Sequence, residues 1–335
     1  KISMPSSQSA RRLCRLRAHL AHPMSPPPPP APPVAAGHLE SLSDAMIPGL
    51  PDPAGAGAAA AAADEYAAID RLEDAGEHEA ALRAIDQLTA AAVAAAAAAP
   101  REAVPPELRA ALLWRAARAH ERLWQASRPR SARRAEHLRT GLKCTKDALA
   151  CIPRMEGEDA ASARAITVTT GKVHKWMAVY LGMEANEGGV TASARNAAAI
   201  NTHTRAALSR LPDDATLHHM LGRLCFSCAG ASWAEKAAAK IVGFKVPETT
   251  FPEAATHFRR AEKLAPTAAN RLWLGKAYLR CAKARNRGHN QGETQRYTRL
   301  GRKWLTRAAK MECATAEDRN AQDEARRELR RGPRT

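Results

Sequence analysis

The sequence predicts an all-α fold, a stack of helical hairpins behind a disordered N-terminal tail, and three observations carry that expectation. From Asp64 onward apolar residues recur at helical spacing, and no convincing run of alternating strand residues interrupts them. Within 216–266, Leu221 and Gly222 stand in one apolar helix, and Ala254, Phe258, Ala261 and Pro266 follow in the next. Residues 1–63 have the opposite character: a polyproline tract (Pro26 to Pro30, then Pro32 and Pro33) and, over 51–63, Pro, Gly and Ala with one charge, a composition that cannot offset the entropy of ordering.

The helices are expected in this order. Asp64 caps the first and Gly76 ends it; a second runs from about Glu77 through the alanines to Ala99, where Pro100 stops it. This pair reads as a degenerate first repeat of a domain over 64–330. A better unit has Trp114 and Ala117 in its first helix and Gly141, Thr145, Ala148 and Pro153 in its second. The next begins at Trp176 and Val179 and closes at Ala207 and Pro212. The third holds Leu221, Gly222, Ala254, Phe258, Ala261 and Pro266, and the fourth holds Leu274, Gly275, Tyr278, Gly301, Leu305 and Ala308.

The spacing A-x3-F-x2-A-x4-P after an L-G helix is that of a tetratricopeptide (TPR) hairpin, so the expected architecture is a TPR-like right-handed α-α superhelix of roughly four and a half hairpins. Gly222, Gly275, Ala254 and Ala261 fall where two helices cross, and a larger side chain there would push the axes apart. The period is stretched well beyond the usual ~34 residues. The surplus is expected between helices, at 154–172, 229–250 and 284–295.

A chain of 335 residues with a formal charge of +17 favours acidic partners, although its wealth of arginine, alanine and proline is also what a GC-rich coding bias gives. Seven cysteines, an odd number set mostly in apolar helical patterns, read as reduced thiols rather than a disulfide framework. No stretch has the ~18 strongly apolar residues of a transmembrane span. Arg11, Arg12, Arg15 and Arg17 precede the first acid, Glu40, so residues 1–40 have the composition of an organelle transit peptide; on that alternative the destination is a mitochondrion or plastid.

The chemistry-bearing residues favour binding. There is no P-loop, no G-x-S-x-G, no H-E-x-x-H and no Gly-rich dinucleotide turn, so neither a catalytic set nor a cofactor is expected. His218 and His219 with Cys225-x2-Cys228 hint at metal, but on one helix rising ~1.5 Å per residue His218 and Cys228 would lie ~15 Å apart, so core cysteines and no metal site are expected. Scarce aromatics and the lack of an RNA- or DNA-reading motif argue against nucleic acid. In a TPR array the first helices line the concave face; counted from the Trp-equivalent sites, Arg115, Arg122, His219, Lys276 and Arg280, with Arg223 close by, are expected there. Such a groove suits carboxylate or phosphate, because arginine offers a planar fork of donors. Between Arg271 and Lys310 Glu293 is the single acid, so this third should carry a positive potential.

Three segments together resemble a known family: VHKWMAVYLG (173–182), LHHMLGRLCFS (217–227) leading into 231–266, and RLWLGKAYLRCAK (271–283) leading into 303–329, with LLWRAARAHERL (112–123) fitting as well. The order of these segments, and the insert carrying Trp233, Lys236, Phe244, Pro247 and Phe251, resemble the regulator of microtubule dynamics protein family. The resemblance covers roughly 64–329. It implies a non-enzymatic TPR-like protein of the cytoplasm and cytoskeleton, whose partners are microtubules, tubulin or another acidic protein. Trp233 and Phe244 become candidate partner contacts. One mammalian member is anchored in the mitochondrial outer membrane and binds phospholipid through its repeats, so the resemblance also implies an alternative, an anionic phospholipid or contact-site role for the same groove.

Overall fold

The computed structural model describes residues 53–98, 104–155, 160–241, 243–244, 246–287, 290–312 and 316–331; the polyproline tract and the candidate transit segment lie outside them. All regular elements among the described residues are helical.

Helix α1 spans Pro53–Asp74 and α2 spans His78–Ala98. The first starts upstream of the Asp64 cap expected from sequence, because the run of alanines, the best helix formers, carries the helix back to Pro53. Gly76, at φ +83°, supplies the left-handed turn that closes α1, with the Glu77 amide bonded to the Leu72 carbonyl at 2.9 Å.

Helix α3 (Pro106–Ala126) pairs with α4 (Ala132–Cys151), whose first turn is capped by the Ser131 hydroxyl; a short 3-10 turn, Ile152–Arg154, follows. Helix α5 (Ala160–Leu208) is two arms broken at Gly189, whose φ of 74° and ψ of −153° only glycine adopts easily. The arms fold back on each other: His174 meets His203, and the Asn196 amide donates to the Leu181 carbonyl at 3.1 Å. Helices α6 (Ala215–Gly230) and α8 (Phe251–Leu264) pair across the insert that holds α7 (Trp233–Ile241). Helix α9 (Ala268–Arg287) pairs with α10 (Gln291–Ala309), and α11 (Ala316–Arg330) packs on both.

Successive pairs touch through α2 on α3, α3 and α4 on α5, α5 on α6, and α8 on α9. One buried cluster joins Trp124, Trp176 and Tyr180 from α3 and α5, and a second joins Leu221, Phe258 and Trp273 from α6, α8 and α9. Burying a side chain such as Phe258 contributes about 2–3 kcal/mol. Gly275 and Gly301 face each other across the α9–α10 crossing: a methyl on either would sit 3.0 Å from the carbonyl oxygen of the other and 2.8 Å from a leucine. Gly222 gives Phe258 its room in the same way, since a methyl there would lie 2.7 Å from the ring.

The three segments expected between helices are shorter as loops than the sequence suggested. Residues 160–172 belong to α5, 233–241 form α7, and α9 continues to Arg287 with α10 beginning at Gln291. The alanines and long polar side chains in these segments favour helix once a neighbouring pair offers a surface to pack on.

Candidate functional site

On α3, Arg115, Arg118 and Arg122 recur at helical spacing, and the first two meet the acids of α1. Arg115 clasps Asp70 through two hydrogen bonds of 2.9 and 3.2 Å, donates to the Ala111 carbonyl, and lies over the rings of Tyr66 and Trp114. Arg118 reaches Asp70, Glu73 and Asp74. Arg122, largely buried, has its Nε 3.9 Å from a Glu121 oxygen. The layer continues into α5 and α6, where Lys175 bonds Asp214 at 2.6 Å while Asp214 also caps α6.

These charges reshape one another. Burial pushes the Glu121 carboxyl up to about 7 against the pull of Arg122 and the Gln125 amide. Burial likewise raises Glu73, opposed by His78 and Arg118. Burial would raise Asp214 too, but Lys175 and Lys172 outweigh it and hold that carboxyl below its ordinary value. Lys172 is lowered by burial and by Lys175. Acids and bases interleave here, so this half of the candidate groove is a neutralised polar layer.

Helices α6, α9 and α11 build a second cluster around the buried Trp273. Arg223, itself buried, lies 4.8 Å from the Trp273 ring centroid, and the Lys276 ammonium lies 4.3 Å from it. Lys276 also bonds Glu324 of α11 at 2.6 Å; burial lowers its pKa while Glu324 acts to raise it. Arg280 is exposed, with its guanidinium 5.9 and 5.8 Å from the rings of Phe226 and Phe251. His219 meets Asn270 at 3.1 Å and tilts against Phe258. The structure therefore gathers His219, Arg223, Lys276 and Arg280 into one neighbourhood and places Arg115 and Arg122 in another.

The insert is split. Trp233 is 84% exposed and Ile241 86% exposed on α7, while Phe244 is half-buried.

Two features go beyond the sequence reading, the layout of the basic run expected from it and a set of histidine contacts. The first is a stripe along α10 and its C-cap: Arg296, Arg299, Arg302, Lys303, Arg307 and Lys310 are all exposed, and none is in an ion pair with an acid among the described residues. The single acid of the helix, Glu293, is taken by Arg285 at 3.0 Å. Beside the stripe a shallow cleft of about 490 Å³ is lined by Arg271, Lys303, Thr306, Arg307, Lys310 and Met311. The run of charge was visible in the sequence; that it faces water as one stripe follows from Gly301, Leu305 and Ala308 taking the buried side. The second is a series of histidine pairs bridging helices: His120 with His137 (Nδ1 atoms 3.1 Å apart), His174 with His203 (2.9 Å), and the stacked rings of His218 and His257. The partners lie too far apart in sequence for any local pattern to reveal them.

No helix among the described residues is long and apolar enough to cross a membrane. The model of the family "Regulator of microtubule dynamics protein 1-3" matches residues 66–331. Regulator of microtubule dynamics protein 1 of Bos taurus is 31% identical over 223 residues, 66% of this chain and 61% of its own length. The Homo sapiens protein of the same name is 32% identical over 154 residues, 45% of each chain, and regulator of microtubule dynamics protein 3 of Rattus norvegicus is 26% identical over 208 residues, 62% of this chain and 38% of its own. In its widest matches the chain spans about three fifths of the length of these curated relatives.

Proposed function

The chain belongs to the regulator of microtubule dynamics 1–3 family, and from that membership we propose that it is a non-enzymatic binding protein of the cytoplasm and cytoskeleton that engages microtubules, or another acidic protein surface, through a basic helical face. On this reading the helix pairs are turns of a TPR-like right-handed superhelix over 64–330, with α3, α6 and α9 among the inner helices and α10 among the outer ones. Gly275 and Gly301, Gly222 and Phe258, and the contact of each pair with the next support it.

The observation that carries the binding proposal is the α10 stripe. Arg115 is committed to Asp70 and Lys276 to Glu324, so those inner charges serve packing first. The exposed, unneutralised charge runs from Arg296 to Lys310, where nearby potentials of several kT draw an acidic segment. Disordered acidic tails fit such a stripe because they need no preformed shape, only spaced carboxylates.

The cleft at Arg271, Lys303, Arg307 and Lys310 favours a second reading, an anionic phospholipid headgroup at the same end of the molecule. Co-sedimentation with microtubules at about 50 and 300 mM salt, where the screening length falls by more than half, tests the first. Pelleting is expected at low salt. It should fall steeply at high salt, fall on removal of the tubulin tails, and fall again in Arg299→Glu/Lys303→Glu. No pelleting at low salt overturns microtubule association, and saturable binding to phosphatidic acid vesicles then selects the second reading.

A further inference from the structure

Cys225 on α6 and the pair Glu253 and His257 on α8 converge at the seam of one hairpin. Their ligand atoms (the thiol sulfur, a carboxylate oxygen and an imidazole nitrogen) all lie within 4.8 Å of one another. The i, i+4 spacing of Glu253 and His257 puts both on the face of α8 that meets α6. Four supports surround them. Arg205 of α5 holds one Glu253 oxygen at 3.2 Å, which leaves the other to the cluster. Thr250 caps α8 through the Glu253 amide and fixes the turn that presents the carboxylate. The His257 ring stacks on His218 at 5.8 Å between centroids. His218 Nε2 donates to the Pro212 carbonyl at 2.9 Å, and its buried Nδ1 has no hydrogen-bond partner among the described residues.

We propose that Cys225, Glu253 and His257 form a binding site for a borderline-soft divalent cation of the zinc class, at the α6–α8 seam and distinct from the basic surface of α10. The donor set decides the class: thiolate and imidazole suit zinc and its neighbours, whereas magnesium and calcium need oxygen shells. Tetrahedral zinc places such donors about 3.3–3.8 Å apart, so the cluster closes by roughly an ångström of side-chain rotation. On binding, the Cys225 thiol proton leaves to solvent and the ion takes its place between sulfur, carboxylate and imidazole. Cys225 is fully buried while Glu253 and His257 are half-buried, so the ion enters from the α8 side and its remaining position faces that opening. Local spacing sets Cys225 beside residues of its own helix alone, whereas these ligands come from the facing one.

The full chain, stripped with chelator and kept reduced, is titrated with zinc against a chromophoric chelator and, separately, with cobalt. One zinc per chain is expected, with a thiolate-to-cobalt charge-transfer band in the near ultraviolet that Cys225→Ser removes. Because serine at a buried site can disturb packing, the deciding variant is His257→Ala, half-exposed and checked for native helicity. It should weaken zinc binding at least ~10-fold. No stoichiometric ion, no thiolate band, or a His257→Ala affinity within a few-fold of the parent overturns the proposal, and none of these results bears on microtubule association.

Discussion

Arg115 lies across the Asp70 carboxylate, its Nη2 2.9 Å from Oδ2 and its Nε 3.2 Å from Oδ1, and in that position it ties α1 to α3. Ile69, Tyr66 and Leu72 of α1 already pack with Leu112 and Ala116 of α3, and this two-pronged contact, walled by Tyr66 and Trp114, fixes the polar edge of the same seam. Removing one partner leaves a partly buried charge without compensation. Asp70→Ala should therefore destabilise the chain by about 1–3 kcal/mol. Urea unfolding followed by far-ultraviolet circular dichroism measures it. Asp70→Ala and Arg115→Ala should cost far less than the sum when combined. Additive costs would show that the pair is not a unit.

The α9–α10 crossing supplies a second expectation. Gly275→Ala would press a methyl against the Gly301 carbonyl and the Leu305 side chain, and backbone cannot step aside as a side-chain tip can. The cost should be about 1–3 kcal/mol. Because α11 packs on both helices, it should loosen as well. Hydrogen exchange would show faster exchange through α9, α10 and α11 while α3 and α4 keep their protection. Unchanged exchange in α11 would contradict that coupling.

The histidine pair of α5 makes stability depend on acid. Burial first, then His203 and Arg210, lower His174 to about 4, and burial lowers His203 as well. The folded chain resists protonation there while the unfolded chain takes protons near 6.5. The contribution of the pair is thus fully present above about pH 6.5 and is lost as pH falls toward 4. Glu121, raised to about 7 by burial, acts in the opposite sense and gains stability as pH falls from 7 toward 4.5, so whole-chain curves mix the two. Comparison with His174→Asn/His203→Asn isolates the pair. Between pH 7 and 4.5 the parent should lose on the order of 5 °C more in melting temperature than the variant. Parallel curves would refute it.

The residues alone specify the helix pairs and their joints. Ala254, Phe258 and Ala261 mark a packing face because helical period is local, Gly76 marks a turn because only glycine takes that φ cheaply, and Gly222 and Gly275 mark crossings because no side chain fits there. The sequence also located the family, whose model matches residues 66–331. It could not say which cations remain available. The charge of Arg115 or Lys276 is decided by an acid 45 or 48 residues away, and nothing near Lys276 in sequence announces Glu324. The same holds for Cys225, whose neighbours Glu253 and His257 belong to the facing helix. Periodicity is written into a few consecutive residues, whereas electrostatics and ligand geometry are sums over whatever folding brings within a few ångströms, and only the tertiary structure carries them out.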